Sequence, residues 1–319
     1  MGKVEKLENF FLPKGTIGFI LYKLFWGVYR LPNNLLSNRQ LINKTYKKVF
    51  GHTPNLDHPS TLNEKIQWLK LNGFKSFHTI CCDKYLMRNY VMEKIGPEAE
   101  DHLIPLLYET TNWRDISLDT LPNEPFVIKP THTSGDYQIV RDKSTIDIKL
   151  LRGKCRYWLH RNFYRDSREL QYKDSPRRLI AEKLLQTADG YIPNDYKLHY
   201  FNGELQFIYC SVARETRNYR KIYSPDWKPL PFIWVPKFKL QSQSGGDDIP
   251  APASFNLMKK YASIIAKDFD YVRVDFYDVD GKLYFGEITL FHGSGYDVFS
   301  PEEYDLIYGN KLKLTGLDK

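Results

Sequence analysis

The segment YVRVDFYDVDGKLYFGEITLFHGSG, residues 271–295, decides the fold of this chain. Apolar and polar residues alternate on both sides of an Asp-Gly pair, a pattern that predicts a β-hairpin. Arg273, Asp275 and Glu287 lie where a half-buried hairpin ordinarily carries neutral side chains. Two acids and an arginine in such strands require a physical explanation.

The register of this hairpin decides which side chains share a face, because a slip of one residue moves every side chain to the other face. A two-residue turn would place Asp275 opposite Gly286 and point Glu287 away. A three-residue loop would instead place Arg273 opposite Glu287. We predict this second register, because it puts Arg273, Asp275, Glu287 and Thr289 on one face and leaves apolar residues for the core.

Two interpretations of this charged hairpin are open from spacing alone. Carboxylates on adjacent strands repel each other unless a cation lies between them, and Mg²⁺ prefers such oxygen ligands. Asp275 and Glu287 would then bind the metal, and Arg273 would neutralise a developing oxyanion. Alternatively, Arg273 and Glu287 form a buried ion pair while Asp275 is solvated.

The composition is that of a folded protein with excess positive charge. Of 319 residues, 42% are hydrophobic and 15% aromatic, which excludes a disordered chain. The formal net charge is +8, and thirteen Lys or Arg against six Asp or Glu lie between residues 141 and 183. This basic segment favours acidic partners, although ordinary solvated lysines would give the same charge. The four cysteines show no metal-ligand spacing, which is typical of reduced thiols in a cytoplasmic enzyme.

An apolar segment near the N-terminus bears on membrane contact. No stretch of the sequence reaches 18 apolar residues, so we expect no bilayer-spanning helix. The segment 17–28 (IGFILYKLFWGV) is not followed by the cleavage site of a signal peptide. It would form either a helix with Phe19, Leu24, Phe25 and Trp26 facing lipid or protein, or a helix packed on its own domain. The predicted location is cytoplasmic, with peripheral contact at the inner membrane face under the first alternative.

Five further segments, taken with the hairpin, resemble one protein family. They are KTYKKVFGHTPNLDHPSTLNEKIQWLK (44–70), DKYLMRNYV (83–91), PFVIKPTHTSG (125–135), RLIAEKLL (178–185) and DYKLHYFNG (195–203). From about Lys44 to Gly309 the chain resembles the TupA-like ATP-grasp ligases, named for teichuronopeptide synthesis. The resemblance implies an α+β chain with the ATP-grasp fold, in which two antiparallel-sheet subdomains clasp ATP, preceded by a helical N-terminal extension.

The same resemblance divides the chain into four segments. They are a helical N-terminal extension (1–72), an N-terminal part of the core (73–124), a small ATP-grasp subdomain (125–185), and a large subdomain with the metal site (186–319).

The resemblance implies ATP and Mg²⁺ as cofactors. Lys129 ends a strand and resembles the lysine that contacts the nucleotide phosphates, which also gives it a catalytic role. Lys84 and Arg88 resemble a second phosphate-binding segment, and their spacing of four predicts one face of a helix. The loop 131–135 resembles the phosphate-covering loop. The predicted nucleotide-binding residues are Lys84, Arg88, Lys129, His132, Thr133, Ser134, Gly135, Glu182, Lys183, Leu185, Asp195 and Lys197.

Residues 182–185 resemble the hinge that reads adenine through backbone groups, and Asp195 lies where a ribose-binding acid is expected. The residues alone leave other interpretations open. Glu182 would instead pair with Lys197 or Arg178, and Lys129 would be a solubilising lysine on an edge strand.

The resemblance also implies roles for the hairpin. Asp275 and Glu287 match metal-binding acids, and Arg273 matches a catalytic arginine beside the reacting carbonyl. Thr289 stands where many ATP-grasp enzymes have Asn, so it is a weaker predicted metal ligand. The predicted substrate-binding residues are Arg214, Arg217, His292 and Ser294.

The implied activity is carboxylate–amine ligation through an acylphosphate, which amidates a hexuronic acid of a bacterial cell-surface polysaccharide or its precursor. The implied partners are an acidic sugar or glycan, lipid- or nucleotide-linked, and an amine; nucleic acid is not expected. One alternative is a kinase of a sugar or glycan intermediate. Another is a glycosyltransferase that holds a metal through Asp268-Phe269-Asp270 or Asp278-Val279-Asp280, although the second triplet falls in a turn.

Overall fold

The computed structural model describes residues 3–317, with nothing stated for the side chain of residue 3. The helices are α1 (Lys3–Phe11), α2 (Gly15–Asn34), α3 (Asn38–Phe50), α4 (Leu62–Asn72), α5 (Phe77–Cys82), α6 (Leu86–Ile95), α7 (Ile148–His160), α8 (Tyr164–Ser167), α9 (Leu240–Gln243), α10 (Phe255–Ala266) and α11 (Glu303–Lys311). The strands are β1 (Leu106–Thr110), β2 (Phe126–Pro130), β3 (Gln138–Val140), β4 (Leu179–Lys183), β5 (Asp195–Phe201), β6 (Glu204–Val212), β7 (Tyr219–Tyr223), β8 (Ile233–Val235), β9 (Tyr271–Val279), β10 (Lys282–Thr289) and β11 (Val298–Ser300).

The chain forms two compact units. Unit 1 comprises Met1–Ser37, Asp83–Tyr85 and Pro105–Leu184, and unit 2 comprises Asn38–Cys82, Leu86–Ile104 and Leu185–Lys319. Each unit contains an antiparallel sheet and its own helices, which confirms the predicted α+β class. The finer division into four segments remains a prediction.

Unit 1 is built on a four-stranded antiparallel sheet in the order β1-β4-β2-β3. The alternating residues Phe126 and Ile128 of β2 point into an apolar cluster that also contains Leu151 and Cys155 of α7. A Cβ on Gly153 of α7 would lie 2.5 Å from the Leu12 carbonyl oxygen, so only glycine allows this close approach. Strand β2 lies inside the sheet, between β4 and β3.

Unit 2 is built on a five-stranded antiparallel sheet in the order β10-β9-β5-β6-β7. The residues Val272, Val274 and Phe276 of β9 and Ile288 of β10 are all buried, as the apolar pattern predicts. Helix α10 packs against strands β5, β6 and β9. A two-stranded sheet of β8 and β11 lies in the same unit.

The predicted register of the 271–295 hairpin is wrong at its turn. Strands β9 and β10 pair Val279 with Lys282 across a two-residue turn, and a β-bulge shifts the register between Phe285 and Glu287. The bulge adds one residue to β10, so Glu287 lies opposite Asp275, on the same face of the sheet. The predicted grouping of charged residues on one face is therefore confirmed, but a bulge produces it instead of a three-residue loop.

Candidate active site

Seven polar side chains occupy one face of the unit 2 sheet, which we call the charged face. Strand β5 pairs Lys197 with Asp275 and His199 with Arg273, and β10 places Glu287 opposite Asp275. Side chains directly opposite each other in antiparallel strands lie on the same face. The charged face comprises Asp195, Lys197, His199, Arg273, Asp275, Glu287 and Thr289.

Arg273 holds both acids of the hairpin. Its Nε donates to Asp275 Oδ1 over 2.7 Å, and its Nη2 donates to Asp275 Oδ2 and to Glu287 Oε1, each over 2.7 Å. Asp275 is 2% exposed, so the sequence-based alternative with a solvated Asp275 is wrong. Charge-assisted bonds of this paired geometry are the strong ones, and they hold the guanidinium rigidly.

A second cation reaches the same acid from the neighbouring strand. Lys197 Nζ lies 2.7 Å from Asp275 Oδ2 and also pairs with Asp195. The other carboxylate oxygen of Asp195, Oδ1, is buried and has no hydrogen-bond partner among the described residues. Three carboxylates and two cations leave the charged face with one net negative charge, which favours binding of a further cation.

Burial and neighbouring charge set the protonation of this face. Burial raises the pKa of Asp275, and the nearby Arg273 and Lys197 oppose that rise. Burial disfavours the charged form of Arg273, but Asp275 and Glu287 outweigh it and raise the guanidinium pKa. Arg273 therefore stays charged and is available to neutralise an oxyanion.

His292 accepts a hydrogen bond from the guanidinium of Arg273. Its Nδ1 accepts from Arg273 Nη1 over 3.0 Å, which places the ring proton on Nε2, 3.2 Å from Asp297 Oδ2. The ring lies 4.2 Å from that of Trp234, and burial lowers the pKa of His292. A neutral His292 therefore positions Arg273, whereas the sequence analysis assigned it to substrate; the substrate role remains a prediction.

The residues of the charged face fit a magnesium ion. Within residues 3–317, no cluster of three or more His, Cys, Asp or Glu side chains could hold a metal. Magnesium beside phosphate ordinarily needs only one or two carboxylates, since waters and phosphate oxygens complete its shell. Asp275 and Glu287 supply two, and the Glu287 side chain is 37% exposed. Thr289 Oγ1 donates to Glu287 Oε1 over 3.0 Å, so it orients this acid.

Unit 1 carries a separate group around Lys129. Its Nζ lies 2.5 Å from Glu182 Oε2, and both side chains are largely buried. Glu182 was expected to pair with Lys197 or Arg178 if it did not read a nucleotide. It pairs with Lys129, and Arg178 pairs with Glu109. Because β2 is an internal strand, the edge-strand interpretation of Lys129 is wrong.

The loop 131–135 follows Lys129. Lys84 Nζ donates to the Thr133 carbonyl over 2.5 Å, so a lysine also anchors the loop. The loop ends at Gly135, whose φ of 81° requires glycine, and Ser134 beside it is exposed. His132 is buried, and its Nε2 donates to the Trp158 carbonyl over 3.0 Å. Burial lowers the pKa of His132 to about 4, so this ring is neutral, and its nucleotide role remains a prediction.

The helical spacing predicted for Lys84 and Arg88 is wrong. Helix α6 begins at Leu86, because Asp83 Oδ1 already accepts the amide of Tyr85 in a local turn. Lys84 therefore precedes the helix. Arg88 donates to the Ile104 carbonyl over 2.7 Å within unit 2.

The backbone of the predicted adenine hinge is partly engaged. The amides of Lys183 and Leu184 donate to the carbonyls of Pro105 and Pro125 over 3.0 and 2.9 Å. The Lys183 side chain lies 3.4 Å from Glu124, and both are exposed. Leu185 directly follows this bonded pair, and its nucleotide role remains a prediction.

The predicted substrate residues lie in different settings. Arg214 lines a cavity of about 340 Å³ with Asp278 and Asp280. Arg217 is exposed and pairs with Asp247 over 2.7 Å. Ser294 has a φ of 55° in the turn after β10. Its hydroxyl accepts from the buried Lys70 Nζ over 2.9 Å.

Sequence reasoning missed His199 and Lys70. His199 alternates with Asp195 and Lys197 along β5, so the period-2 pattern could have placed it on the charged face. Lys70 lies in the last turn of helix α4, and no local pattern shows that its ammonium contacts a residue more than two hundred positions away.

The aspartates of both Asp-X-Asp triplets form contacts with other segments of the fold. Asp268 contacts Lys94 over 2.6 Å, and Asp270 accepts from the Thr315 amide over 2.7 Å. Asp278 accepts from Ser254, and Asp280 accepts from the Ala188 amide. These contacts disfavour a glycosyltransferase metal site at either triplet.

The family model "TupA-like ATPgrasp" matches residues 64–313. A search of curated proteins finds no match. An L-amino acid ligase from Bacillus licheniformis is 13% identical with a TM-score of 0.44, and the match covers 86% of this chain and 61% of that one.

Two further solved structures are similar. A D-alanine–D-alanine ligase from Bacillus anthracis, complexed with ATP, is 18% identical with a TM-score of 0.39, covering 72% of this chain and 63% of that one. The ATP-grasp ligase PsnB, complexed with a precursor variant, Mg and ADP, is 9% identical with a TM-score of 0.35, covering 72% and 56%. The chain spans less than two thirds of the length of these ligases. Because the family model matches most of its length, the chain belongs to the TupA-like ATP-grasp family.

Proposed function

We propose that this chain is an ATP-dependent carboxylate–amine ligase with ATP and Mg²⁺ as cofactors. The observation that carries the proposal is the arrangement of Asp275 and Glu287 on adjacent strands, with Arg273 bonded to both over 2.7 Å. Membership of the ATP-grasp family and the ATP, ADP and Mg named for the similar ligases support it.

The proposed reaction has two steps. A carboxylate oxygen of the substrate attacks the γ-phosphorus of ATP, the bond to the bridging oxygen breaks, and ADP leaves. The amine nitrogen then attacks the acylphosphate carbon, and phosphate leaves as the amide forms and a proton is released. Arg273 neutralises the tetrahedral oxyanion, since its neighbouring acids keep it charged.

The other residues of the proposal bind and orient. Lys129 and Lys84 of unit 1 would contact phosphate oxygens. Asp275 and Glu287 would hold Mg²⁺, which when bound supplies positive charge to phosphate oxygens. Thr289 would keep Glu287 in position through its hydroxyl donation. No protein nucleophile is needed for this chemistry.

The proposed carboxylate substrate is a hexuronic acid of a cell-surface polysaccharide or its precursor. The net charge of +8 favours such an acidic partner. Arg214 is the residue that we assign to the sugar carboxylate or a linked phosphate, because its guanidinium can bind such a group through two hydrogen bonds. The amine is an amino acid or a related compound.

The test is a screen for ADP release with uronic acids and a panel of amines. We expect release that requires both co-substrates and that falls by about a hundredfold or more in Glu287→Gln. The matched control is Glu204→Gln, at an exposed position of β6, which keeps full activity. Equal activity of Glu287→Gln and the unaltered chain would overturn the metal assignment, and ADP release without any amine would identify a kinase instead.

A further inference from the structure

Helix α2 exposes one continuous apolar face. The exposed fractions of Ile17 and Val28 are 73% and 72%, and that of Leu35, directly after the helix, is 78%. The apolar face comprises Ile17, Ile20, Leu21, Leu24, Phe25, Val28, Leu31 and Leu35. Steps of three, four and seven residues put these side chains on one side of a helix. A face of this size on a globular protein marks an interaction surface.

The opposite side of α2 is fixed to unit 1, so the apolar face cannot turn inward. Gly18, Phe19 and Tyr22 are buried. The Tyr22 ring packs 4.8 Å from that of Tyr157 of α7, and Arg30 donates to the Tyr157 hydroxyl over 3.2 Å. The expectation that Phe19 faces outward is therefore wrong, because it fills the unit 1 core.

Trp26 is half-buried against the same core, and Leu24 and Phe25 are exposed. The alternative of a helix packed on its own domain is confirmed for one side of α2, whereas contact of the other side with lipid or protein remains a prediction. One side packs on its own domain, and the other side faces outward.

The charges beside the apolar face are positive. Helix α2 contains Lys23 and Arg30 and no Asp or Glu, and since Arg30 pairs with Asp166 over 2.8 Å, Lys23 is the exposed cation of the helix. Lys14 precedes the helix and is exposed, as is Lys23. Arg156 of α7 donates to Thr16 at the start of α2 over 3.1 Å. Cations that flank an apolar face match a surface of lipid acyl chains and anionic headgroups.

Like charges disfavour the main rival occupant. A second copy of α2 packed on the first would bring together two helices that each expose the cation Lys23 and no acid, and these cations repel. Acidic headgroups would attract the same cations. Within the described part of the chain, no helix is long and apolar enough to cross a membrane, so contact would be along the surface.

We propose that the apolar face of α2 docks this protein on an anionic membrane surface, with the helix lying in the plane of the headgroups. Tyr29, which is exposed beside Val28, then lies at the boundary between acyl chains and headgroups, where aromatic rings with a polar atom are favoured. This proposal does not depend on the ligase chemistry.

The basic segment 141–183 contributes less to docking than its charge predicts. Arg152 donates to the Ile116 carbonyl over 2.9 and 2.8 Å. Arg161 pairs with Asp136 and Asp166 over 2.7 and 2.9 Å. Neutralising these two arginines would disturb unit 1 itself, so the test uses exposed apolar residues of α2.

The test is flotation of the full chain with vesicles of phosphatidylcholine alone or mixed with phosphatidylglycerol. We expect binding to the mixed vesicles and about tenfold weaker binding to phosphatidylcholine alone. The triple variant Leu21→Ser, Leu24→Ser, Val28→Ser should weaken binding by about a hundredfold or more, since three apolar side chains no longer enter the acyl region.

The matched control is Leu306→Ser with Ile307→Ser, which removes exposed apolar side chains from α11 and should leave binding unchanged. A fluorophore on Val28→Cys should shift to the blue with mixed vesicles, whereas one on Leu306→Cys should not. The four native cysteines are buried, so labelling is selective.

Failure of the chain to float with phosphatidylglycerol vesicles would overturn the proposal. Light scattering supplies a second test. If the chain is a dimer that the triple variant converts to a monomer, the apolar face binds a second copy and the membrane proposal is wrong. Neither result bears on ADP release, so the ligase proposal is tested independently.

Discussion

The charged face of unit 2 and the apolar face of α2 depart from the usual partition of residues in opposite directions. The first buries Arg273 and Asp275 in a sheet, and the second exposes Ile17 and Val28 on a helix. Burying charge is costly unless every charge is paired, and exposing apolar area is costly unless a partner covers it. Pairing inside the fold stabilises Arg273 and Asp275, whereas the apolar face has no such partner among the described residues. The difference separates the site that we propose for chemistry from the one that we propose for docking.

The largest expected effect comes from breaking the pairing of the charged face. Arg273→Leu leaves Asp275 buried without its main partner, and we expect a loss of about 3–5 kcal/mol in unfolding free energy. Urea denaturation measures it. Arg217→Leu is the control, because its pair with Asp247 is exposed and should change stability by less than about 0.5 kcal/mol. Similar losses of unfolding free energy in both variants would show that burial of an ion pair does not determine its contribution to stability.

A second prediction concerns the stability of the protein at acidic pH. Burial lowers the pKa of His292 from the ordinary 6.5, so the unfolded chain binds a proton before the folded one does. The stability that His292 contributes is fully present above pH 6.5 and is lost as pH falls through its lowered pKa. Each such histidine steepens the pH dependence of the unfolding free energy by up to about 1.4 kcal/mol per pH unit.

His292→Asn tests this, since its amide oxygen can still accept from Arg273 but does not titrate. Unfolding measured between neutral and acidic pH should show a shallower slope than in the unaltered chain. His58→Asn, at an exposed position, should keep the original slope. An unchanged slope in His292→Asn would refute the assigned neutral, accepting ring.

A third prediction concerns Gly286, which lies in the β-bulge of β10. A Cβ on Gly286 would lie 3.2 Å from both the Asp275 carbonyl oxygen and Tyr277 Cε2, so Gly286→Ala should cost about 1–2 kcal/mol. Gly27→Ala is the control, because Gly27 of α2 has no atom within 4 Å of the new Cβ. Alanine favours a helix, so this control should gain about 0.5–1 kcal/mol. Thermal and urea unfolding should show a lower stability for Gly286→Ala and a higher stability for Gly27→Ala.

The smallest effect is expected on the apolar face. Leu24→Ser should change unfolding free energy by less than about 0.5 kcal/mol, because Leu24 is exposed and supports no core. Phe19→Ser, on the buried side of the same helix, should cost several times more. A large loss in Leu24→Ser would mean that the apolar face serves the fold, and would count against docking.

Much of the fold was predictable from local patterns. The 271–295 hairpin follows from apolar alternation and from its Asp-Gly turn, which are short-range signals, and the α+β class follows from the family resemblance. The motif set around Lys129 and the 271–295 hairpin was enough to indicate the family, which the match over residues 64–313 confirms. The predicted roles of the individual site residues remain predictions.

The predictions that were wrong concern features that contacts between distant segments of the chain determine. The face grouping of Asp275 and Glu287 was right, but it depends on a bulge that pairing between strands creates. The helix expected at Lys84 begins at Leu86, because the backbone before it bonds elsewhere. Side-chain partners such as Lys129 for Glu182 come from the sheet order, which local sequence does not contain.

By itself, the sequence determined which residues alternate on each strand, where turns form, and which charges the strands carry, because these depend on neighbours in the chain. Only the tertiary structure decided that Arg273 joins Asp275, Glu287 and His292, and that α2 buries Phe19 while it exposes its opposite side. The physical reason is that burial and pairing are properties of packed elements, and the same amphipathic pattern fits a core, a partner or a membrane until packing selects one.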